Sequence, residues 1–194
     1  MTTVLVNGLP GAGKTTLARS LAQELGLPLF SKDAVKETLA DTLGLGPPPG
    51  STARGWSSAL GRAAAETLWT LLGHAPGGAV LESPWLGGTR PFATAGLARA
   101  GVSEVQEVWC EVPPEVARRR CAERAAGRHP VHLDDLPGTD PDPDGRWELW
   151  SRTAVPLALG TVHRVDTTRR VDVALLAGRI RAADGSGRAG GRPG

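Results

Sequence analysis

Gly8-Leu9-Pro10-Gly11-Ala12-Gly13-Lys14-Thr15 decides the fold, because this stretch fills every fixed position of the pattern G-x-x-x-x-G-K-[ST]. An apolar run, Val4-Leu5-Val6, leads into it. Behind it Leu17, Leu21 and Leu25 recur every four residues until Gly26 stops the pattern. The order is therefore strand, loop, helix. Glycine at 8, 11 and 13 lets the chain curl so that the amides of Gly8, Gly11, Ala12 and Gly13 point into one concavity, and the new helix adds the positive end of its dipole. A triphosphate fits such a cradle. Lys14 is the point charge for its β- and γ-phosphates, Thr15 the hydroxyl ligand for Mg²⁺, and Thr16 a donor to the α-phosphate.

Outward from this loop, short apolar runs alternate with helical patterns. Leu27 to Phe30 reads as a second strand, and Ser31 as the N-cap of a helix carrying Val35 and Leu39. Pro47-Pro48-Pro49 marks an exposed loop, and Leu60, Ala64, Leu68 and Leu72 form one stripe of a helix from about Trp56 to Leu72. Ala79 to Glu82 is a third strand, Thr89 to Ala100 a weak helix, Val105 to Cys110 a fourth strand, and Glu115 to Ala126 an arginine-dense helix. A Pro/Asp/Gly-rich segment follows, then a fifth strand at Val162 to Val165 and a final helix from Val171 to Arg181. Such alternation predicts an α/β fold of the P-loop NTPase kind, a five-stranded parallel sheet flanked by helices. Ligands bind beyond the carboxyl ends of such strands, so the loops holding Gly8 to Thr15, Asp33, Glu82 and Asp166 should share one edge. The expected domain is 1–183, with a lid over about 127–146 and an unstructured tail over 184–194.

At 194 residues, 40% hydrophobic and 22% charged, the chain suits one globular domain. Its net charge of +2 gives no footprint for a long nucleic-acid duplex. The two cysteines, Cys110 and Cys121, fall in a strand and a helix, which favours a reducing cytoplasm over a disulfide framework. No basic leader precedes the first apolar run and no stretch is long enough to cross a membrane, so a soluble cytoplasmic protein is expected. His129, His132, Asp134 and Asp135 do not meet the spacing of a zinc site.

A regulatory GTPase reads guanine through N-K-x-D, but the one asparagine is Asn7, ahead of the loop. ABC and RecA-like ATPases need longer cores and signatures absent here. Val4 to Asp33, Ala79 to Glu82, Cys110 to Pro113 through Arg128-His129-Pro130, and Val165 to Thr168 together resemble the small P-loop kinases. That family includes chloramphenicol phosphotransferase, gluconate and shikimate kinases, zeta toxins and polynucleotide kinase domains, and the chain is most similar to bacterial AAA-type ATP-binding kinases. The resemblance implies ATP with Mg²⁺, and transfer of the γ-phosphoryl group to a hydroxyl of a small molecule such as a nucleoside, sugar or antibiotic. A 5′-hydroxyl nucleic-acid end and a non-catalytic ATP-binding regulatory module are the competing readings.

Individual residues follow from the same logic. Asp33, after the second strand, either orients the attacking hydroxyl and takes its proton or serves only its helix dipole. Glu82 either faces the Mg²⁺ waters and the acceptor or caps a helix. Arg120, Arg124 and Arg128, four apart, either lean together over a phosphoryl group or belong to a salt-bridged face with Glu115 and Glu123. Lys14, Asp33, Arg124 and Arg128 are thus the expected catalytic set, with Arg120 on the nucleotide. The resemblance implies that the loop with Thr167, Thr168 and Arg170 packs on adenine; a plain turn is the other reading. Arg54, Trp56, Trp85 and Arg90 are candidate linings of the acceptor pocket, with Trp85 as a flat wall, although tryptophans also serve as core packing.

Overall fold

The computed structural model describes residues 1–133 and 145–189. Five strands, β1 (Thr2–Asn7), β2 (Leu29–Ser31), β3 (Gly78–Glu82), β4 (Gln106–Glu111) and β5 (Thr161–Asp166), form one sheet in the order β2-β3-β1-β4-β5. Every pairing is parallel. Between them lie α1 (Lys14–Leu25), α2 (Lys32–Leu43), α3 (Ala53–Gly73), α4 (Arg90–Arg99) and α5 (Pro114–Arg124), with α6 (Arg146–Thr153) before β5 and α7 (Val173–Ala189) after it.

Alternation along β1 divides the core. Val4 and Val6 pack with Leu17, Leu21, Val108 and Ile180 under α1 and α7. Leu5 points the other way and packs with Leu68, Trp69, Leu81 and Leu97 under α3 and α4. Both faces are covered, which is why these strands read as continuous apolar runs. The register brings Ser31 beside Glu82, Val6 beside Glu82, Asn7 beside Trp109 and Glu111 beside Asp166, so the strand carboxyl ends share one edge. No helix among the described residues is long and apolar enough to cross a membrane.

Two local expectations change, and a third falls largely outside the described residues. The last helix runs past Arg181 to Ala189, into the segment expected as a tail; 190–194 lie outside the described residues. Most of the expected lid, 134–144, including Asp134 and Asp135, also lies outside them. Helix α5 ends at Arg124, a 3₁₀ turn covers Ala125–Gly127, and Arg128 is extended at φ −87° and ψ 146°. The three arginines therefore do not share one helical face.

Candidate nucleotide and acceptor site

Gly11 shows why the loop takes its shape. Its φ is +80°, and a Cβ there would lie 2.1 Å from the Ala117 carbonyl of α5. Only glycine allows the loop to pass so close to that helix. Gly13 is also left-handed, at φ 80°, and opens α1. The loop's amides divide. Gly8 donates to Asn7 Oδ1 at 2.7 Å and Ala12 to the Leu9 carbonyl at 3.0 Å, so these two, expected to face a phosphate, are used within the loop. Gly11 and Gly13 line open cavities.

Lys14 is 7% exposed, and its Nζ donates to the Leu9 carbonyl at 2.8 Å. Burial pushes its pKa down, with Glu82 and Asp33 pulling the other way. Around it lies a cavity of about 470 Å³ lined by Gly11, Gly13, Thr15, Thr16, Asp33, Glu82, Arg124 and Arg128, among others. Glu82 is 3% exposed and accepts from Ser31 Oγ at 2.6 Å. The Ser31 hydroxyl thus bonds across the strands and makes no cap bond to α2, contrary to its expected role. Thr15 and Glu82 supply hard oxygen donors to one cavity, a set that fits a magnesium ion keeping several waters.

Asp33 lies between two cations, Lys32 Nζ at 3.2 Å and Arg128 Nη2 at 3.1 Å. Burial pushes its pKa up, but Lys32, His132 and Arg128 outweigh this and hold it at about 2. The segment bearing Arg128 is itself fastened to α2: His129 pairs with Asp41 at 3.0 Å and His132 with Glu37 at 2.8 Å.

A second, wider cavity of about 920 Å³ opens beside α1 and is lined by Ser20, Arg120, Thr167, Arg170, Val171 and Val173 among others. Arg120 Nη2 donates to the Thr167 carbonyl at 3.1 Å, tying α5 to the loop after β5. Gly11, Gly13, Thr16 and Arg124 line both cavities, so the two meet at the glycine-rich loop.

Four expected pocket residues are elsewhere. Trp85 is 6% exposed and stacks on Trp69 with ring centroids 5.6 Å apart, inside the core. Trp56 packs with Leu60 and Val131 and donates from Nε1 to the Gly44 carbonyl at 3.0 Å. Arg90 is exposed and bonds the Ala158 carbonyl at 3.3 Å. Arg54 is exposed and does not line the cavity. Residue type suggested a wall at these places, but the direction of each side chain is set by tertiary packing.

Other cavity residues escaped the sequence reading. Lys32, Lys36, His132, Trp147, Trp150 and Thr153 all line the acceptor-side cavity. One signal was available: Lys14, Lys32 and Lys36 are the chain's only lysines, and all three line this cavity. Glu107 was missed as well. This carboxylate in the middle of β4 is 1% exposed. It accepts from Asn7 Nδ2 at 2.9 Å, Leu157 N at 2.9 Å and Ala158 N at 2.8 Å. Because Asn7 also accepts from Gly8, Glu107 joins the start of the loop to the segment leaving α6. Glu107→Ala would leave the buried Leu157 amide without an acceptor and strip the buried Asn7 amide of one of its two, the other being the Trp85 carbonyl, and should cost about 2 kcal/mol. Urea unfolding checks this; a loss under about 1 kcal/mol would show that water replaces the carboxylate.

Comparisons with known proteins agree with this geometry. A family model described as an AAA domain matches residues 4–136. The crystal structure of a candidate kinase from Chloroflexus aurantiacus J-10-fl is 28% identical, with a TM-score of 0.74 over 94% of this chain and 97% of that one. Shikimate kinase from Acinetobacter baumannii, in complex with shikimate, is similar in fold at 16% identity and a TM-score of 0.56, covering 96% of this chain and 94% of its own. The cytidylate kinase of Ignicoccus hospitalis is 47% identical over 45 residues, which is 23% of this chain and 26% of that protein. The chain thus aligns with about a quarter of the length of the curated relatives it matches.

Proposed function

The chain belongs to this AAA domain family, which is kinase-like and built on the P-loop fold, and from that premise we propose that it is a cytoplasmic phosphotransferase moving the γ-phosphoryl group of ATP to a hydroxyl of a small molecule. One observation carries the reading: two cavities meet at the glycine-rich loop, and the one on the Asp33 side holds a carboxylate beside lysines and arginines. The base and ribose would occupy the wider cavity, against the Thr167 to Val173 loop. The phosphates would lie at the junction, and the acceptor would enter beside Asp33.

Thr15 and, through water, Glu82 would hold the magnesium ion, which when bound neutralises charge on the β- and γ-oxygens. Lys14 would leave the Leu9 carbonyl for the phosphates. Asp33 would orient the acceptor hydroxyl and take its proton as the oxygen bonds to phosphorus. Arg128 is engaged by Asp33, and a γ-phosphate competes for the same guanidinium. As Arg128 turns to the phosphate, Asp33 loses a neighbouring cation and becomes the stronger base. Phosphate binding and base activation are thereby coupled.

Arg128→Ala should accordingly lower turnover by about tenfold while changing the KM for ATP much less, because the guanidinium matters most where charge spreads in the transition state. Steady-state kinetics check this; unchanged turnover would return Arg128 to a structural role. The reading as a whole is tested by incubating the protein with ATP, Mg²⁺ and a panel of hydroxylated metabolites, antibiotics and 5′-hydroxyl oligonucleotides, then weighing the products. A gain of one phosphate on a small-molecule hydroxyl is the expected result. Phosphate on the oligonucleotide alone would make this an end-specific polynucleotide kinase, and ATP binding with no transfer would make it a regulatory module.

A further inference from the structure

Helix α6 sorts its side chains by chemistry. Glu148 and Arg152 are exposed and pair with each other at 3.2 Å. Trp147, Trp150 and Thr153, three residues apart and so on one stripe, line the acceptor-side cavity. The two indoles meet edge to face with centroids 5.6 Å apart, and both pack from behind against the core under α1. Leu149 adds an apolar side chain to the lining although it is 53% exposed.

The loop after β3 continues this wall. A Cβ at Gly87 would lie 3.1 Å from Val155 Cγ2, and Arg90 reaches Ala158, so that loop sits against the chain leaving α6. From it Pro84, Leu86 and Thr89 line the same cavity. Among the described residues, α6 and this loop give the cavity two indoles, aliphatic groups and two hydroxyls but no charged side chain. The cavity's cations come from elsewhere, and several already have partners: Lys32 and Arg128 with Asp33, Lys36 with Ser57 at 2.8 Å.

We propose that the acceptor is an uncharged alcohol bearing a flat apolar ring, seated with its ring against Trp147 and Trp150 and its hydroxyl toward Asp33. This deepens the phosphotransferase reading and rests on it. A planar ring gains stacking and apolar burial against the indoles, whereas a carboxylate at that end would lose its hydration with no cation from the wall to replace it. In the reaction the hydroxyl oxygen bonds to the γ-phosphorus, and its proton passes to Asp33. The bond from that phosphorus to the β–γ bridging oxygen breaks, and ADP leaves with the electron pair.

The test separates binding from transfer. Calorimetry with a non-hydrolysable ATP analogue and Mg²⁺ present compares phenyl-substituted diols with gluconate and shikimate, and mass spectrometry with ATP follows transfer to the same compounds. The phenyl diols should bind and be phosphorylated, and the polyol acids should do neither. Trp150→Ala should weaken the diols about tenfold, the worth of one aromatic contact, with ATP affinity unchanged. Because Trp150 also packs on the core, Leu149→Lys at an exposed position is the second variant and should weaken the same ligands. Diols that bind Trp150-dependently but accept no phosphate would leave the ring site standing and overturn the transferase reading. Transfer to the polyol acids with no diol binding would overturn the ring site and leave the transferase. Diol binding indifferent to both variants, or no binding from either group, would also overturn the ring site.

Discussion

Lys14→Ala lowers phosphoryl transfer by at least about a hundredfold, the typical loss when one charge-stabilising donor is removed from a reacting oxyanion. The side chain is 7% exposed and lines the cavity beside its own loop. The cavity's other cations come from other elements, Lys32 and Lys36 from α2 and Arg124 and Arg128 from α5 or just beyond it, while Lys14 is the cation of the glycine-rich loop itself. The loss should not reflect unfolding. Burial lowers the folded-state pKa of Lys14, so the charged amine is less favoured in the folded chain than in the unfolded one. Removing it relieves that penalty at the cost of the donor to the Leu9 carbonyl, so the melting temperature should stay close to that of the wild type. Wild-type turnover in a stably folded variant would remove Lys14 from the chemistry.

Asp33→Asn depresses transfer by about 10² to 10⁴, the range for a positioned acid–base group, while sparing ATP binding. An amide still reaches the hydroxyl but accepts no proton and holds Arg128 less firmly. The pH dependence follows from the pKa of about 2, below the ordinary carboxylate value of 3.8. A depressed folded pKa gives stability that is complete above the unfolded value and lost as pH falls through the folded one. Asp33 therefore stays ionised, and its pairs with Lys32 and Arg128 intact, down to about pH 4. Any fall in kcat/KM between pH 8 and pH 5, which reports the free enzyme with the Asp33–Arg128 pair in place, must come from another group. An acid limb near pH 6 that disappears in Asp33→Asn would contradict the assignment.

How far the sequence could be read depends on how local each determinant is. The glycine-rich loop was legible because its geometry is dictated within eight consecutive residues, and the strand order of types followed from runs just as local. Asp33 and Glu82 were legible as positions, since Asp33 opens the helix that follows β2 and Glu82 ends β3, and the pairing of Ser31 with Glu82 carries both to one edge. Trp85 was misread for a complementary reason. It also follows a strand end, but Trp69 from α3 supplies a stacking partner that nothing nearby in the sequence announces. Ser31 had the residue type of a cap, yet the register of β2 on β3 offers its hydroxyl a carboxylate instead. Helix α6 went unread because it follows a Pro/Asp/Gly-rich stretch and is only eight residues long. Its Trp147-x-x-Trp150-x-x-Thr153 stripe was the available signal. Glu107 looked like an ordinary strand residue, although a carboxylate in a strand covered on both faces must find donors, and here they come from two distant segments, Asn7 and Leu157-Ala158.

All of this depends on the glycine-rich loop holding the phosphates of a nucleoside triphosphate. Titration calorimetry of the intact protein with ATP at millimolar Mg²⁺ measures that directly, with Lys14→Ala as the matched control. The account predicts saturable one-to-one binding that weakens markedly in the variant and when magnesium is chelated. Absence of binding by the wild-type protein, or binding that the variant retains in full, would contradict it.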